Sequence, residues 1–181
     1  MIMEKLKSRN ELPILAHHNG CADSAEIGVF DGKFSEVICR NIPNVYHICV
    51  DTWSPSRNHR DINKLEKALS DAKERLKEYH TSFYRMKSVD ASNEILDKSL
   101  DFIYIDAAHD YKSVLMDLIS WYPKLRSGGL FSGHDFSDEA HQTRCVKKAV
   151  EDFALSKWIN DIYVTKYCPE DNQPSWYWIK K

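Results

Sequence analysis

No apolar run in this 181-residue chain approaches the roughly 20 residues that span a bilayer. Its first residues, Met1 to Arg9, lack the hydrophobic stretch of a signal peptide. The expectation is a cytoplasmic protein without membrane contact. No block of one charge stands out either. Lys and Arg total 25 against 27 Asp and Glu, a formal net charge of −2, and the signs are mixed along the chain. That balance argues against a nucleic-acid surface and for a small-molecule partner. The five cysteines (Cys21, Cys39, Cys49, Cys145 and Cys168) include no CxxC pair. An odd count without metal-ligand spacing reads as reduced thiols, several of them small core hydrophobes. Repeats, low-complexity tracts and linkers are missing too. The chain therefore reads as one domain over 1–181, with residues 1–20 a helical lead-in.

What is present is an alternation of strand-like and helix-like segments. A helix is expected over 3–18, broken at Pro13. His17 and His18 at its end read as surface histidines, because adjacent helical residues point to different faces. Strands are expected at 24–29, 45–50, 82–88, 99–105 and 130–133, with helices at 34–41, 61–79, 93–96, 111–122 and 142–155 between and after them. Val89 to Ser92 reads as a loop, and Leu125 to Gly129 as a turn. Two last strands, 162–167 and 176–180, flank a Pro-rich turn and suggest an antiparallel hairpin. The pattern is α/β: a doubly wound, mostly parallel, Rossmann-like sheet with helices on both faces and a C-terminal antiparallel hairpin.

In such sheets ligands bind outside the carboxyl ends of the strands. Gly28, Asp51, Asp90, Asp106 and Asp135 all fall at or just after expected strand ends. Gly28 and Gly32 frame a turn into a helix, where free backbone N–H groups can cradle a ligand. Asp51, about 20 residues on, suits a pair of ribose hydroxyls. A dinucleotide fingerprint wants G-x-G-x-x-G, but Phe30 takes the middle glycine's place. His109 and His134 titrate near neutrality and are candidate bases; His141 is a third. Trp53 and Tyr111 suit either walls of a pocket or the core.

Four segments carry a resemblance: Glu26-Ile27-Gly28-Val29-Phe30-Asp31-Gly32, Val50-Asp51-Thr52-Trp53, Ile105-Asp106-Ala107-Ala108-His109-Asp110-Tyr111, and Pro123 through Gly133-His134-Asp135. In order and spacing the chain resembles class I S-adenosylmethionine-dependent methyltransferases. Within them it is similar to the small macrocin O-methyltransferase-like group. The resemblance implies that Glu26 sits near the amino-acid end of S-adenosylmethionine and that Gly28 and Gly32 admit its methionine portion. It also implies that Asp51 binds the ribose, that Asp90 and Ala91 border the adenine, and that Phe30, Thr52, Trp53 and Asp106 are among the cofactor-binding residues. Metal-dependent relatives hold Mg²⁺ on acidic residues after the fourth and fifth strands, here Asp106 and Asp135. Catechol-type enzymes follow the second acid with Asn, whereas Phe136 stands here.

The expected activity is methyl transfer to a hydroxyl of a small molecule or sugar, with His109, His134 and Asp135 as catalytic candidates. Loops at 52–63 and 136–144, or a second copy of the chain, would shape the acceptor pocket. Two alternatives remain: a non-catalytic cofactor-binding module of the same fold, and a nucleotide-dependent oxidoreductase.

Overall fold

A computed structural model describes residues 5–55, 61–137, 145–169 and 171–181. Among these residues seven strands form one sheet: β1 (Asp23–Ile27), β2 (Tyr46–Asp51), β3 (Thr81–Arg85), β4 (Leu100–Ile105), β5 (Leu125–Gly133), β6 (Tyr163–Val164) and β7 (Trp176–Ile179). Their order is β3-β2-β1-β4-β5-β7-β6. The first five pair in parallel, and β7 runs antiparallel between β5 and β6. The chain steps outward from β1 to β3, then returns to lay β4 on the other side of β1. That reversal opens a crevice above the carboxyl ends of β1 and β4.

Among the described residues six helices cover the sheet: α1 (Leu12–His18), α2 (Lys33–Asn41), α3 (Ile62–Leu76), α4 (Ser88–Asn93), α5 (Tyr111–Trp121) and α6 (Val146–Ser156). Alternation along the strands sends side chains to two cores. Phe102 and Tyr104 of β4 join Leu12, Ile38, Ala72 and Leu76 under α1–α3. Ile103 and Ile105 join Val114, Leu118, Val150 and Phe153 under α4–α6. Strands buried on both faces read as continuous apolar runs, which is why β2 and β4 stand out in the sequence. Trp176 and Trp178 stack with ring centroids 4.9 Å apart and pack on Phe131 of β5. Cys21, Cys39 and Cys49 are buried. Among the described residues no helix is long and apolar enough to cross a membrane.

Local expectations shift in four places. The lead-in is a short 3-10 turn, Arg9–Glu11, followed by α1, and Pro13 lies in the first turn of α1 rather than breaking a helix. There its missing N–H costs nothing. His17 and His18 are exposed in the last turn. Residues 89–92 are not a loop. They belong to α4, which starts at Ser88, and Trp121 Nε1 donates to Ser88 Oγ at 2.8 Å. A tertiary contact thus fixes a helix of weak intrinsic propensity. Leu125–Gly129 is a bulged start to β5 rather than a turn, with register slipping between Leu100 and Phe102. Gly128 (φ +82°) makes the bend, and its N–H donates to Lys180 O. Finally, β6 is only two residues long.

Candidate active site

The crevice floor starts with Gly28, where β1 ends. Its φ is +97°, and a Cβ built there would overlap the Asp106 carbonyl and lie 2.8 Å from Ala107 Cα. Glycine therefore lets the β1 and β4 exits lie against each other. Asp51 ends β2 and is half-buried. One of its oxygens accepts from Phe30 N–H at 2.9 Å, the other from Trp53 N–H at 2.9 Å. Trp53 Nε1 also donates to Phe30 O at 2.8 Å. Phe30 and Trp53 both sit at positive φ, +50° and +42°. Such non-glycine outliers persist only where surroundings over-determine them. Here one carboxylate ties two strained loops together. A carboxylate has about four acceptor sites, so lone pairs remain on both oxygens of Asp51.

Below the floor lies Glu26, 2% exposed. Ser35 Oγ, from the first turn of α2, donates to its Oε2. Burial raises its pKa to about 8, against a lowering by that hydrogen bond, so the acid resists ionisation. His47 Nε2 lies 4.0 Å away, and burial pushes the pKa of this imidazole down to about 3. The pair is therefore two neutral groups at neutral pH rather than a salt bridge.

Across the crevice Asp106, His109, His134 and Asp135 converge. Consecutive strand residues normally point to opposite faces. Asp135 has φ +58°, and this left-handed turn brings its side chain to the same side as that of His134. His134 Nδ1 lies 3.7 Å from Asp106 Oδ1 and 3.6 Å from Asp135 Oδ1. His109 Nε2 lies 2.9 Å from Asp135 Oδ2 and 3.6 Å from Asp106 Oδ1. It is a charge pair rather than an aligned hydrogen bond, since neither ring nitrogen of His109 has a hydrogen-bond partner among the described residues. The carboxylates of Asp106 and Asp135 raise the His109 pKa to about 9. Burial opposes charge on His134, but Asp135 and Asp106 outweigh it and raise its pKa. Burial likewise opposes ionisation of Asp135, yet the two imidazoles hold its pKa well below the usual range. A cavity of about 10 Å³, room for one water-sized body, is lined by all four residues together with Val114, Val146 and Trp176.

Arg9 completes this corner. Its Nη1 is 3.3 Å from Asp106 Oδ2, its Nε is 3.2 Å from Asp171 Oδ1, and its backbone N–H donates to Asp171 Oδ2 at 3.2 Å. The guanidinium also lies 5.0 Å from the centre of the Phe34 ring. Neither Arg9 nor Asp171 carries a motif, and only the fold joins them to Asp106.

As a magnesium site the cluster is deficient. Mg²⁺ demands oxygen ligands in near-octahedral array. Asp106 and Asp135 offer carboxylates, but Phe136 gives no oxygen from its side chain, and among the described residues the third donor within reach is a ring nitrogen of His134.

The other expected site residues are dispersed. Gly32 caps α2 with φ +75° and packs against Ala72 of α3, where a Cβ would come within 3.0 Å. Thr52 Oγ1 accepts from Ser54 N–H at 3.4 Å. Trp53 is wholly buried. Asp90 is exposed in the first turn of α4, and Ala91 has no exposed surface. The Tyr111 hydroxyl donates to Asp152 of α6 at 2.8 Å. Residues 56–60 and 138–144 of the expected acceptor loops, His141 among them, lie outside the described residues.

No curated protein matches the chain in sequence. Among solved structures it is similar to the O-methyltransferase from Bacillus cereus in complex with SAH, with TM-score 0.67 and 14% identity over 95% of this chain and 79% of that one. It is similarly close to the O-methyltransferase TomG from Streptomyces achromogenes, involved in tomaymycin synthesis and bound to SAM (TM-score 0.67, 15% identity, 95% and 79% coverage). Spermidine synthase from Thermotoga maritima also aligns, with TM-score 0.62 and 16% identity over 95% of this chain and 58% of that one. At such identities the likeness shows the fold alone, and that fold hosts more than one reaction. The family model of the methyltransferase domain, however, matches residues 25–136, which run from β1 to just past Asp135. The chain belongs to the methyltransferase domain family.

Proposed function

We propose that this protein is an S-adenosylmethionine-dependent methyltransferase acting on a hydroxyl of a small molecule, similar to the macrocin O-methyltransferase-like group. The observation that carries the reading is a shared rim. Asp51, with a lone pair spare on each oxygen, faces the same crevice end as the Asp106–His109–His134–Asp135 cluster. SAH and SAM occupy the Bacillus and Streptomyces neighbours, which supports the same cofactor here. The donor chemistry agrees. Asp51 suits two ribose hydroxyls.

The cofactor supplies a methyl group already activated on its sulfonium. The protein must align the acceptor oxygen and take its proton. His109 fits the second task in its neutral form, which its pKa of about 9 makes available only as pH rises into the alkaline range. Asp135 sits behind its Nε2 and stabilises the imidazolium that proton uptake creates, as a carboxylate does behind a catalytic histidine. Its Nδ1 is buried and has no hydrogen-bond partner among the described residues. Asp106 and Asp135 both approach the ring at Nε2. Base assistance of this kind contributes about 10²- to 10⁴-fold.

Calorimetry with SAH on ligand-free protein tests the cofactor, and transfer of a labelled methyl group to a panel of hydroxyl compounds tests the reaction. Absence of SAH binding sinks the reading. Binding without transfer to any acceptor would instead describe a cofactor-binding module.

A further inference from the structure

We propose that the end of the sheet opposite the crevice docks reversibly on an anionic lipid surface, with Trp158 and Leu155 entering the interface and Lys98 and Lys157 facing its headgroups. The proposal goes beyond the methyltransferase reading and does not rest on it.

Helices that return along a parallel sheet finish at the end where the strands begin. Here α4 and α6 end, β4 and β5 start, and β7 runs out at Ile179. Backbone bonds tie the connections together. Lys98 N–H donates to Pro123 O at 3.0 Å, and Gly128 N–H to Lys180 O at 2.7 Å.

Trp158 closes α6. Its N–H donates to Leu155 O at 3.1 Å, and Ile159 N–H donates to Ala154 O at 2.9 Å. Those two bonds make a Schellman cap, whose left-handed residue is usually glycine. Trp158 holds that position at φ +57°. A tryptophan there is strained, and its ring gains no burial in return. It is 85% exposed, and Leu155, one turn earlier, is 75% exposed. Leu96, in the connection from α4 to β4, is 79% exposed. By contrast Trp53, Trp121, Trp176 and Trp178 are at most 1% exposed. Strain and a large exposed ring at one point mark a contact surface. Tryptophan, apolar with one N–H, suits a membrane interface.

The charge around it is positive. Lys180 Nζ donates to Tyr122 O at 2.8 Å and to Leu125 O at 2.7 Å. Burial lowers its pKa, and the ammonium groups of Lys98 and Lys157 lower it further, against Asp97. Three cations therefore share this end, and exposed Lys181 follows them. Two of the acids are already engaged. Asp97 pairs with Lys124 at 2.7 Å, and Asp101 with Arg126. Exposed Glu94 and Asp161, two and three residues from Leu96 and Trp158, reduce the excess without reversing it. A second copy is a poor occupant, because a two-fold contact through this face sets the lysines against their own copies. Protruding apolar side chains flanked by lysines match a fluid anionic interface. The lack of a bilayer-length apolar run excludes spanning, not surface binding.

The test is flotation with vesicles of phosphatidylcholine, with and without phosphatidylserine. The protein should float with the anionic vesicles and be released by salt. Brominated lipid should quench the fluorescence of Trp158, the exposed one of the five tryptophans. Trp158→Gly restores the usual cap residue, so it should melt no lower than the natural protein while binding vesicles about tenfold more weakly. Lys98→Gln with Lys157→Gln should weaken binding by about 10- to 100-fold. SAH affinity, read at the opposite edge, should stay the same in all of these proteins, so vesicle binding and the cofactor reading fail separately. No flotation, equal binding to uncharged vesicles, binding that survives both variants, or no quenching would overturn the proposal. Binding of poly-glutamate in place of vesicles would assign the face to an acidic protein and overturn it too.

Discussion

Arg9 Nη1 stands 3.3 Å from Asp106 Oδ2, joining two residues 97 positions apart in the chain. The cation comes from the 3-10 turn before α1, and Asp171 anchors it from the β6–β7 connection. Arg9→Ala would leave Asp106 and Asp171 without their shared cation. Folding stability should fall by about 1–3 kcal/mol in denaturant titration. Methyl transfer should fall by about 10- to 100-fold, since Asp106 loses the group that fixes its orientation. Arg9→Lys restores charge but not the planar fork, so it should rescue stability more than turnover. Turnover equal to the natural protein in both variants would reduce Arg9 to a structural tie.

The contrast between what the sequence reveals and what it conceals follows from chain distance. β2 and β4 are legible because burial on both faces leaves continuous apolar runs. Asp51, Asp106 and Asp135 are legible because strand ends in a parallel sheet share one edge. Arg9 and Asp171 are not, because no local period or spacing links residues 162 apart. The start of α4 was hidden for a related reason: Ser-Val-Asp-Ala-Ser-Asn is a poor helix on its own, and Trp121 settles it from α5. Gly28 was legible as a required glycine, but its cause differs from the one expected. It accommodates the Asp106 backbone as well as any ligand.

Gly28→Ala should therefore damage the fold and the rim together. The new methyl group meets the Asp106 carbonyl at a φ of +97°. Overpacking and backbone strain each cost about 1–3 kcal/mol, so a combined loss of about 2 kcal/mol or more is expected in chemical denaturation. Gly20 supplies the comparison. Its φ is +76°, but a Cβ there meets nothing within 4 Å. Gly20→Ala should cost only the left-handed strain, about 1–2 kcal/mol. Equal losses at the two positions would show that contact with Asp106 contributes nothing.

Asp51→Ala should weaken SAH binding by about 10- to 100-fold in calorimetry, the usual worth of hydrogen bonds to a charged acceptor. The carboxylate also anchors Phe30 and Trp53, so Asp51→Asn is the informative partner. Asn keeps one carbonyl oxygen but replaces the other with a donor. It should lose nearly as much SAH affinity as Ala while melting closer to the natural protein. Unchanged SAH affinity in both variants would remove Asp51 from the ribose.

Glu26 makes stability depend on pH in a direction opposite to most acids. Burial raises its pKa from 4.5 to about 8, while Ser35 and Arg9 lower it, and Asp106 and Asp51 raise it. Below pH 4.5 the carboxyl is protonated in both folded and unfolded chains. Between 4.5 and 8 the folded chain keeps a proton that the unfolded chain has released. The contribution of this group is thus present at low pH and lost as pH rises through about 8. His47 acts in a separate window. Its pKa falls from 6.5 to about 3, so its contribution is present above 6.5 and lost as pH drops through about 3. Between about 6.5 and 8 the slope from this pair belongs to Glu26 alone. Glu26→Gln keeps a neutral, hydrogen-bonding side chain beside Ser35 and removes the titration. Denaturant midpoints measured from about pH 6 to about pH 9 should therefore fall more steeply for the natural protein than for the variant. Parallel curves would mean that Glu26 is ionised in the fold and that its proton plays no part in stability.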